Sequence, residues 1–237
     1  ALIPLVKANG CVGMTVRNSY NCGVLGYHVE KLAEAGLVAI GFTNSPASIA
    51  PAGGNKPVIG TNPFALAVPN SEGGAKFILD QSASVVAKSE IMMRAREGNS
   101  IPEGWALDSN GKPTTDPEVA LKGSMSPSGG YKGFGIGLLV EVMAAALSGA
   151  MLGIQASPFS GTGGGPPRTG QCFLAFDSYA YTGKVFNERI ADLTEAILCQ
   201  DGARLPGTRR MENRKRIDVE GVNVSDSLIE KIKSYCL

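Results

Sequence analysis

The turn Gly129-Gly130-Tyr131-Lys132-Gly133 runs straight into an apolar stretch, Phe134 to Leu152, whose spacing predicts a buried helix. A buried helix demands a core around it. Of 237 residues, 43% are hydrophobic and 18% charged, enough for one large domain or one domain with a smaller appendage. The turn also sets backbone donors, a helix N-terminus and an ammonium group side by side, a combination that holds anions. Taken without its neighbours it is equally a glycine turn before a core helix.

The net charge is +1 with acids and bases interspersed, which argues against a nucleic-acid or anionic-lipid partner; the local exception is Arg204 to Arg216. No apolar run spans a bilayer, because the longest is interrupted by Glu141 and diluted with Gly and Ala. Cys11, Cys22, Cys172, Cys199 and Cys236 are odd in number and scattered, so neither a disulfide framework nor a metal site fits, and a reducing cytoplasm is expected. The single histidine, His28, lies in a stretch of helical period ended by Gly36, with no nucleophile or orienting partner apparent nearby. It is expected to be structural.

The opening decapeptide, Ala1 to Gly10, resembles the second half of a helix closed by glycine, and the beginning of the protein is expected to be missing. Cys11 to Val16 reads as a strand, Val24 to Ala35 as a helix and Leu37 to Phe42 as a second strand, a βαβ-like order. Phe64 to Val68 and Lys76 to Leu79 predict a hairpin around the polar turn Asn70 to Gly74. Ser84 to Glu97 predicts an amphipathic helix, and Asp108 to Gly111 a turn between short extended pieces. Ala156 to Gly170 has almost nothing to form a core, so it is a lid or a linker. A strand over Gln171 to Phe176, a helix over Phe186 to Leu198 and an amphipathic helix over Ser225 to Cys236, capped by Ser225, complete a mixed α/β chain.

The glycine-rich segments fail the usual nucleotide templates. There is no Gly-Lys-Ser/Thr, and Gly133-Phe-Gly135-Ile-Gly137 lacks both a preceding strand and an acid about 20 residues on. What remains is a set of polar groups on loops after strands, where α/β proteins bind ligands.

Taken in order, Val16-Arg-Asn-Ser-Tyr-Asn-Cys-Gly23, Thr43-Asn-Ser45, Ala50-Pro51, Gly53-Gly54, Gly60-Thr-Asn-Pro63, Leu79-Asp80, Pro102 to Asp108, Pro113 to Pro117, Gly129 to Gly133 and Leu205-Pro-Gly-Thr-Arg-Arg210 resemble the type-2 malate/L-lactate dehydrogenase family. These are NAD(P)-dependent oxidoreductases unrelated to the Rossmann lactate dehydrogenases. The resemblance spans essentially the whole chain. It implies an α/β, non-Rossmann fold with a mostly antiparallel central sheet flanked by helices, a homodimer, and NAD or NADP held with a small 2-oxo or 2-imino acid in a cleft. By position, it assigns the cofactor to Asn21, Cys22, Gly23, Val24 and Leu25; to Asp80, Gln81 and Ser82; to Tyr131 and Lys132; and to Gly207, Arg209 and Arg210. Thr61 would touch substrate. The family commonly has histidine where this chain has Asn21 and Tyr131; both substitutes still hydrogen-bond.

Family members carry a catalytic Ser-His pair ahead of the part represented here, and no residue of this sequence inherits that role. Ten residues after Asp80 the oxo-acid dehydrogenases typically have Lys, and the cyclic-imine reductases an acid. This chain has Glu90, the expected catalytic group, whose carboxylate would favour an iminium; the bland alternative is a surface glutamate paired with Lys88 or Arg94. The leading reading is therefore reduction of Δ1-pyrroline- or Δ1-piperideine-2-carboxylate, with malate, L-lactate or related 2-hydroxyacid oxidation as the alternative and a non-catalytic cofactor-binding remnant as the reading of another class. Residues 1–203 are expected to form the cofactor-binding catalytic domain, with 204–237 a C-terminal segment that packs back through its amphipathic helix.

Overall fold

A computed structural model describes residues 1–161 and 163–236. Helix α1 (Leu2–Asn9) ends at Gly10, whose φ of 80° lets its N–H reach the Val6 carbonyl at 2.7 Å. Then come β1 (Cys11–Ser19), α2 (Leu25–Ala33), β2 (Val38–Thr43), β3 (Phe64–Pro69) and β4 (Ala75–Gln81). The middle of the chain holds α3 (Lys88–Glu97), β5 (Ala106–Leu107), β6 (Pro113–Thr114), α4 (Pro117–Lys122) and β7 (Ser124–Met125). Helix α5 (Tyr131–Val140) continues as a π-helical turn, Glu141–Ala146. Strand β8 (Thr169–Phe176) and helices α6 (Ser178–Thr182), α7 (Val185–Leu198), α8 (Thr208–Glu220) and α9 (Asp226–Ser234) follow.

The main sheet has the order β1-β8-β2-β3-β4, every neighbouring pair antiparallel. The βαβ-like order seen in the sequence is real in direction but not in pairing. Strands β1 and β2 run the same way, and β8, arriving from the far end of the chain, lies between them antiparallel to both. Period-two alternation divides the sheet's side chains between two cores. Ala39, Ala65, Ala67, Ile78, Phe173 and Ala175 pack with Leu25, Val29 and Ala33 of α2. Phe42 and Cys172 pack with Val140 and Ala144 on the other face. A side-chain carbon at Gly41 would lie 2.9 Å from a Val29 methyl, so glycine is what lets α2 come this close.

The hairpin expected around Asn70 to Gly74 is present, closed by the Asn70 N–H to the Gly74 carbonyl at 2.9 Å. Ile49, Ile59, Ile91, Ala106 and Met125 form a third core joining α3, α4 and the small antiparallel sheet β6-β5-β7. Asp108 closes the turn of that sheet by accepting N–H bonds from Asn110 and Lys112, which hold its carboxyl below the usual carboxylate range.

Two expectations need correction. The helix expected over Phe134 to Leu152 stops at Ala146, and its sides differ: Gly133, Gly137 and Val140 are buried, whereas Leu138, Val142 and Leu147 are about half exposed, at 48%, 50% and 61%. Only the glycine-lined side meets the core, because Gly137 leaves room for Ile59. Helix α9 was expected to pack back, yet it buries no residue, and Ser225, although at the N-cap position, makes no side-chain cap bond. Its apolar face has no partner on this chain, Leu228 and Ile232 being 49% and 53% exposed. Helix α8 is attached instead, through Arg210 to Asp80 at 3.4 Å and the Arg214 fork to Glu30 at 2.8 and 3.0 Å. No helix of the described residues is long and apolar enough to cross a membrane.

Candidate active-site cleft

Strand ends leave their last polar groups facing loops, and here three such ends converge. The loop ahead of α2, the segment Thr43 to Ser48 after β2, and Thr61 ahead of β3 enclose a cleft of about 690 Å³ with the first turn of α3 and the Gly153–Ser160 wall.

A buried polar network sets the shape of that cleft. Ser45 Oγ accepts the Thr61 N–H at 3.1 Å and lies 3.3 Å from the Thr61 hydroxyl. Asn62, fully buried and left-handed at φ 39°, accepts the Ser45 N–H through Oδ1 at 3.2 Å. Its amide donates to the Gly137 carbonyl at 2.9 Å and to Glu141 Oε2 at 2.7 Å, while Glu141 Oε1 accepts the Gly153 N–H at 2.6 Å. One buried carboxylate therefore ties the floor under Thr61 to the opposite wall at Gly153. Gly60 is required beside it, since any side chain there would collide with Ser45.

The loop before α2 is shaped by an Asn21 Oδ1 bond from the Gly23 N–H at 2.7 Å. The Cys22 carbonyl accepts from His28 Nε2 at 2.9 Å, and the imidazole packs edge-on to Phe173, consistent with the structural role expected for His28. Burial pushes the Cys22 thiol up, only partly opposed by a hydrogen bond with Thr43. Over the mouth of the cleft, Ala156, Pro158, Phe159 and Ser160 form a wall, with Tyr20 donating its hydroxyl proton to the Phe159 carbonyl. Thr162, part of the lid-or-linker stretch, lies outside the described residues.

From Cys22 a surface trough continues along α8. Cys22, Val24, His28, Arg210 and Arg214 line its middle, and Asp80, Gln81, Gly207, Arg209 and Arg210 line its far end, about 600 Å³. Cys22 is shared with the cleft and Arg210 with both parts of the trough, so the three are contiguous. Asp80 occupies the start of α2, accepting the Gly26 N–H at 2.7 Å, and holds Arg210. An alanine at Gly26 would put its methyl 2.6 Å from Arg210 and 2.7 Å from Asp80, so the backbone approaches this pair as closely as glycine allows.

The structure therefore brings Asn21, Cys22, Gly23 and Thr61 to the cleft, and Val24, Asp80, Gln81, Gly207, Arg209 and Arg210 to the trough. Leu25 is a core side chain, 2% exposed, and only its backbone faces this region. Ser82 bonds Ser84 at 3.0 Å beneath the surface turn. Tyr131 lines a separate groove with Ala50 to Asn55, and Lys132 is exposed at the start of α5. That helix start is linked to the cleft floor only through backbone, Ser128 N–H to the Ala83 carbonyl and Ala83 N–H to the Thr61 carbonyl, each 2.8 Å. Glu90 is not among the cleft residues: it pairs with Arg94 at 3.5 Å, and Arg94 in turn lies over the Trp105 ring. From α3 the cleft instead receives Lys88, Ser89 and Met92. Sequence reasoning missed Asn62 and Glu141, although a lone acid within an apolar run was a visible signal for the latter. Among the described residues no group of His, Cys, Asp and Glu is arranged to hold a metal ion.

A sequence profile of the malate/L-lactate dehydrogenase family matches residues 1–233. The (2R)-3-sulfolactate dehydrogenase (NADP(+)) of Chromohalobacter salexigens is 42% identical over 235 residues, covering 99% of this chain and 70% of that protein. A Δ1-pyrroline-2-carboxylate reductase of Pseudomonas fluorescens is 37% identical over 229 residues, 96% of this chain and 68% of that protein. The crystal structure of Δ1-piperideine-2-carboxylate reductase from Pseudomonas syringae pv. tomato superposes with a TM-score of 0.90 at 31% identity, over 98% of this chain and 70% of that one. The chain belongs to the malate/L-lactate dehydrogenase family of oxidoreductases.

Proposed function

We propose that this protein uses NADH or NADPH to move hydride to and from C2 of small 2-carboxylate substrates. The observation that carries the reading is the continuity of the Thr61 cleft with the Asp80–Arg210 trough through Cys22. A dinucleotide needs such a course, with one end beside the substrate and the other along polar surface. The donor set fits. Arg209 and Arg210 supply cationic forks for pyrophosphate or a 2′-phosphate. Because the Asp80 carboxylate occupies the start of α2, phosphate charge falls to these arginines, while Asp80 is placed to accept from ribose hydroxyls. The nicotinamide, when bound, supplies or takes the hydride.

The chain's own residues hold and orient. Thr61, fixed by Ser45, presents its hydroxyl to the substrate, and the Glu141 network keeps that wall in place. His28 is committed to the Cys22 carbonyl, so we do not assign it as proton donor. Cyclic imino acids are one substrate class, supported by the names of several relatives. Acting on them through Glu90 requires Arg94 to release that carboxylate. A second reading, 2-oxo and 2-hydroxy acids, is favoured by the cleft position of Lys88.

Assaying the intact protein with NADPH and NADH against Δ1-pyrroline-2-carboxylate, pyruvate and oxaloacetate tests the proposal. Oxidation of reduced nucleotide with at least one of them is expected; none with any would end it. The proposal includes a homodimer, for which the exposed Leu138, Leu139, Val142 and Leu147 offer an apolar face, and a cytoplasmic site, with which five free cysteines are compatible. Light scattering that returns a monomer mass would remove the first.

A further inference from the structure

We infer that the cleft contains a second anion subsite, built on the start of α3, that receives a distal acidic group of the substrate, a sulfonate or carboxylate three or four carbons along a 2-oxo or 2-hydroxy acid. The inference rests on the reading of the cleft as a 2-carboxylate site. Lys88 is the one charged side chain among the described residues lining the cleft, with no acid beside it, and it forms no ion pair among the described residues. A cleft with one uncompensated cation and no carboxylate selects for negative charge.

Lys88 and its cleft neighbour Ser89 are the first two residues of α3, a helix of 10 residues. The N-cap residue, Ala87, has no side chain able to accept, so the opening N–H groups and the positive end of the helix dipole are left for an outside acceptor. A third feature points to a ligand independently. Ser48 is 6% exposed, lines the same cleft, and its buried Oγ has no hydrogen-bond partner among the described residues. Buried hydroxyls without partners are uncommon in folded chains, and an arriving anion would satisfy this one. An ammonium, two hydroxyls and a helix N-terminus thus border the cleft that also holds Thr61. A substrate with acidic groups at both ends fills this arrangement, whereas pyruvate or a cyclic imino acid leaves the α3 end without a counter-charge.

The test compares kcat/KM of the intact wild-type protein and of Lys88→Gln and Lys88→Arg with sulfopyruvate, oxaloacetate, pyruvate and Δ1-pyrroline-2-carboxylate. NADPH affinity is read separately from nicotinamide fluorescence. The wild type is expected to prefer one or both doubly acidic substrates over pyruvate, and which of them it takes distinguishes sulfonate from carboxylate. In Lys88→Gln that preference is expected to shrink about tenfold through KM, and Lys88→Arg to retain most of it. If the wild type turns over 2-carboxylates with no preference for the doubly acidic ones, or if Lys88→Gln keeps the same preference, the subsite is wrong and the 2-carboxylate reading stands. If no 2-carboxylate is turned over although NADPH binds, the parent reading fails and the subsite with it.

Discussion

Glu141 has no cation beside it; its two oxygens are engaged by the Asn62 amide and the Gly153 N–H. Replacing it with alanine strands both donors below the surface, at a cost of about 2–4 kcal/mol by the usual penalty for unpaired buried groups near a charge. Urea denaturation of Glu141→Ala should show that loss together with a raised substrate KM, and an unchanged midpoint would mean that the network does not hold the cleft. Gly26 tests the trough in the same way. Gly26→Ala pushes Arg210 and Asp80 apart, and the expected outcome is an NADPH Kd raised about tenfold, or about 1.4 kcal/mol; unchanged affinity would place the cofactor elsewhere. The Cys22 thiol is raised above its ordinary value chiefly by burial, so its proton is held more tightly when folded. Folding favours the neutral thiol, and that contribution is present below the unfolded thiol value and lost as pH rises through the folded one. Iodoacetamide at pH 8 should therefore modify the exposed Cys199 and Cys236 well before Cys22, a sequence that peptide mass mapping reads directly.

Helix α8 buries no residue and depends on two arginines to stay against the body. Glu30 is 7% exposed and Arg214 about half exposed, with the Arg214 guanidinium held charged more firmly by its Glu30 fork. Solvent screens that pair, so Arg214→Ala is expected to cost only about 1 kcal/mol. Its clearer effect is local: amide exchange in α8 should accelerate while α2 and the main sheet keep their protection. Uniform exchange across the chain would show that α8 is anchored by something else. At this scale the sequence was legible where period and punctuation agreed. The β3–β4 hairpin carried alternation and a polar turn, and α2 carried a helical face ended by glycine. It was illegible where pairing is non-local, as with β8, because nothing within Thr169 to Phe176 states that its neighbours are strands more than a hundred residues earlier. The apolar run after Tyr131 misled for a related reason: hydrophobicity on all sides marks surfaces that need covering, whether or not this chain covers them.

For the whole molecule, the site reads as one continuous surface made from loops distant in sequence. Family resemblance located Asn21 to Gly23, Thr61, Asp80 and Arg209 to Arg210, and folding places these in the cleft and the adjoining trough. It did not anticipate that Glu90 would face Arg94, nor that Lys88 would be the charged residue lining the cleft, since both depend on how α3 is rotated about its own axis and two neighbouring charges look alike in a string. Tyr131 and Lys132, assigned to the cofactor by the same resemblance, stand apart from the trough, which makes them the part of the assignment most exposed to test. The central claim is that the trough and the cleft together form a single nicotinamide-nucleotide site. A crystal structure of the protein with NADPH tests it most directly. The account predicts phosphates beside Arg209 and Arg210, the chain of the nucleotide passing Cys22, and the nicotinamide ending near Thr61. A nucleotide seated instead in the Tyr131 groove, with the trough left to solvent, would contradict it.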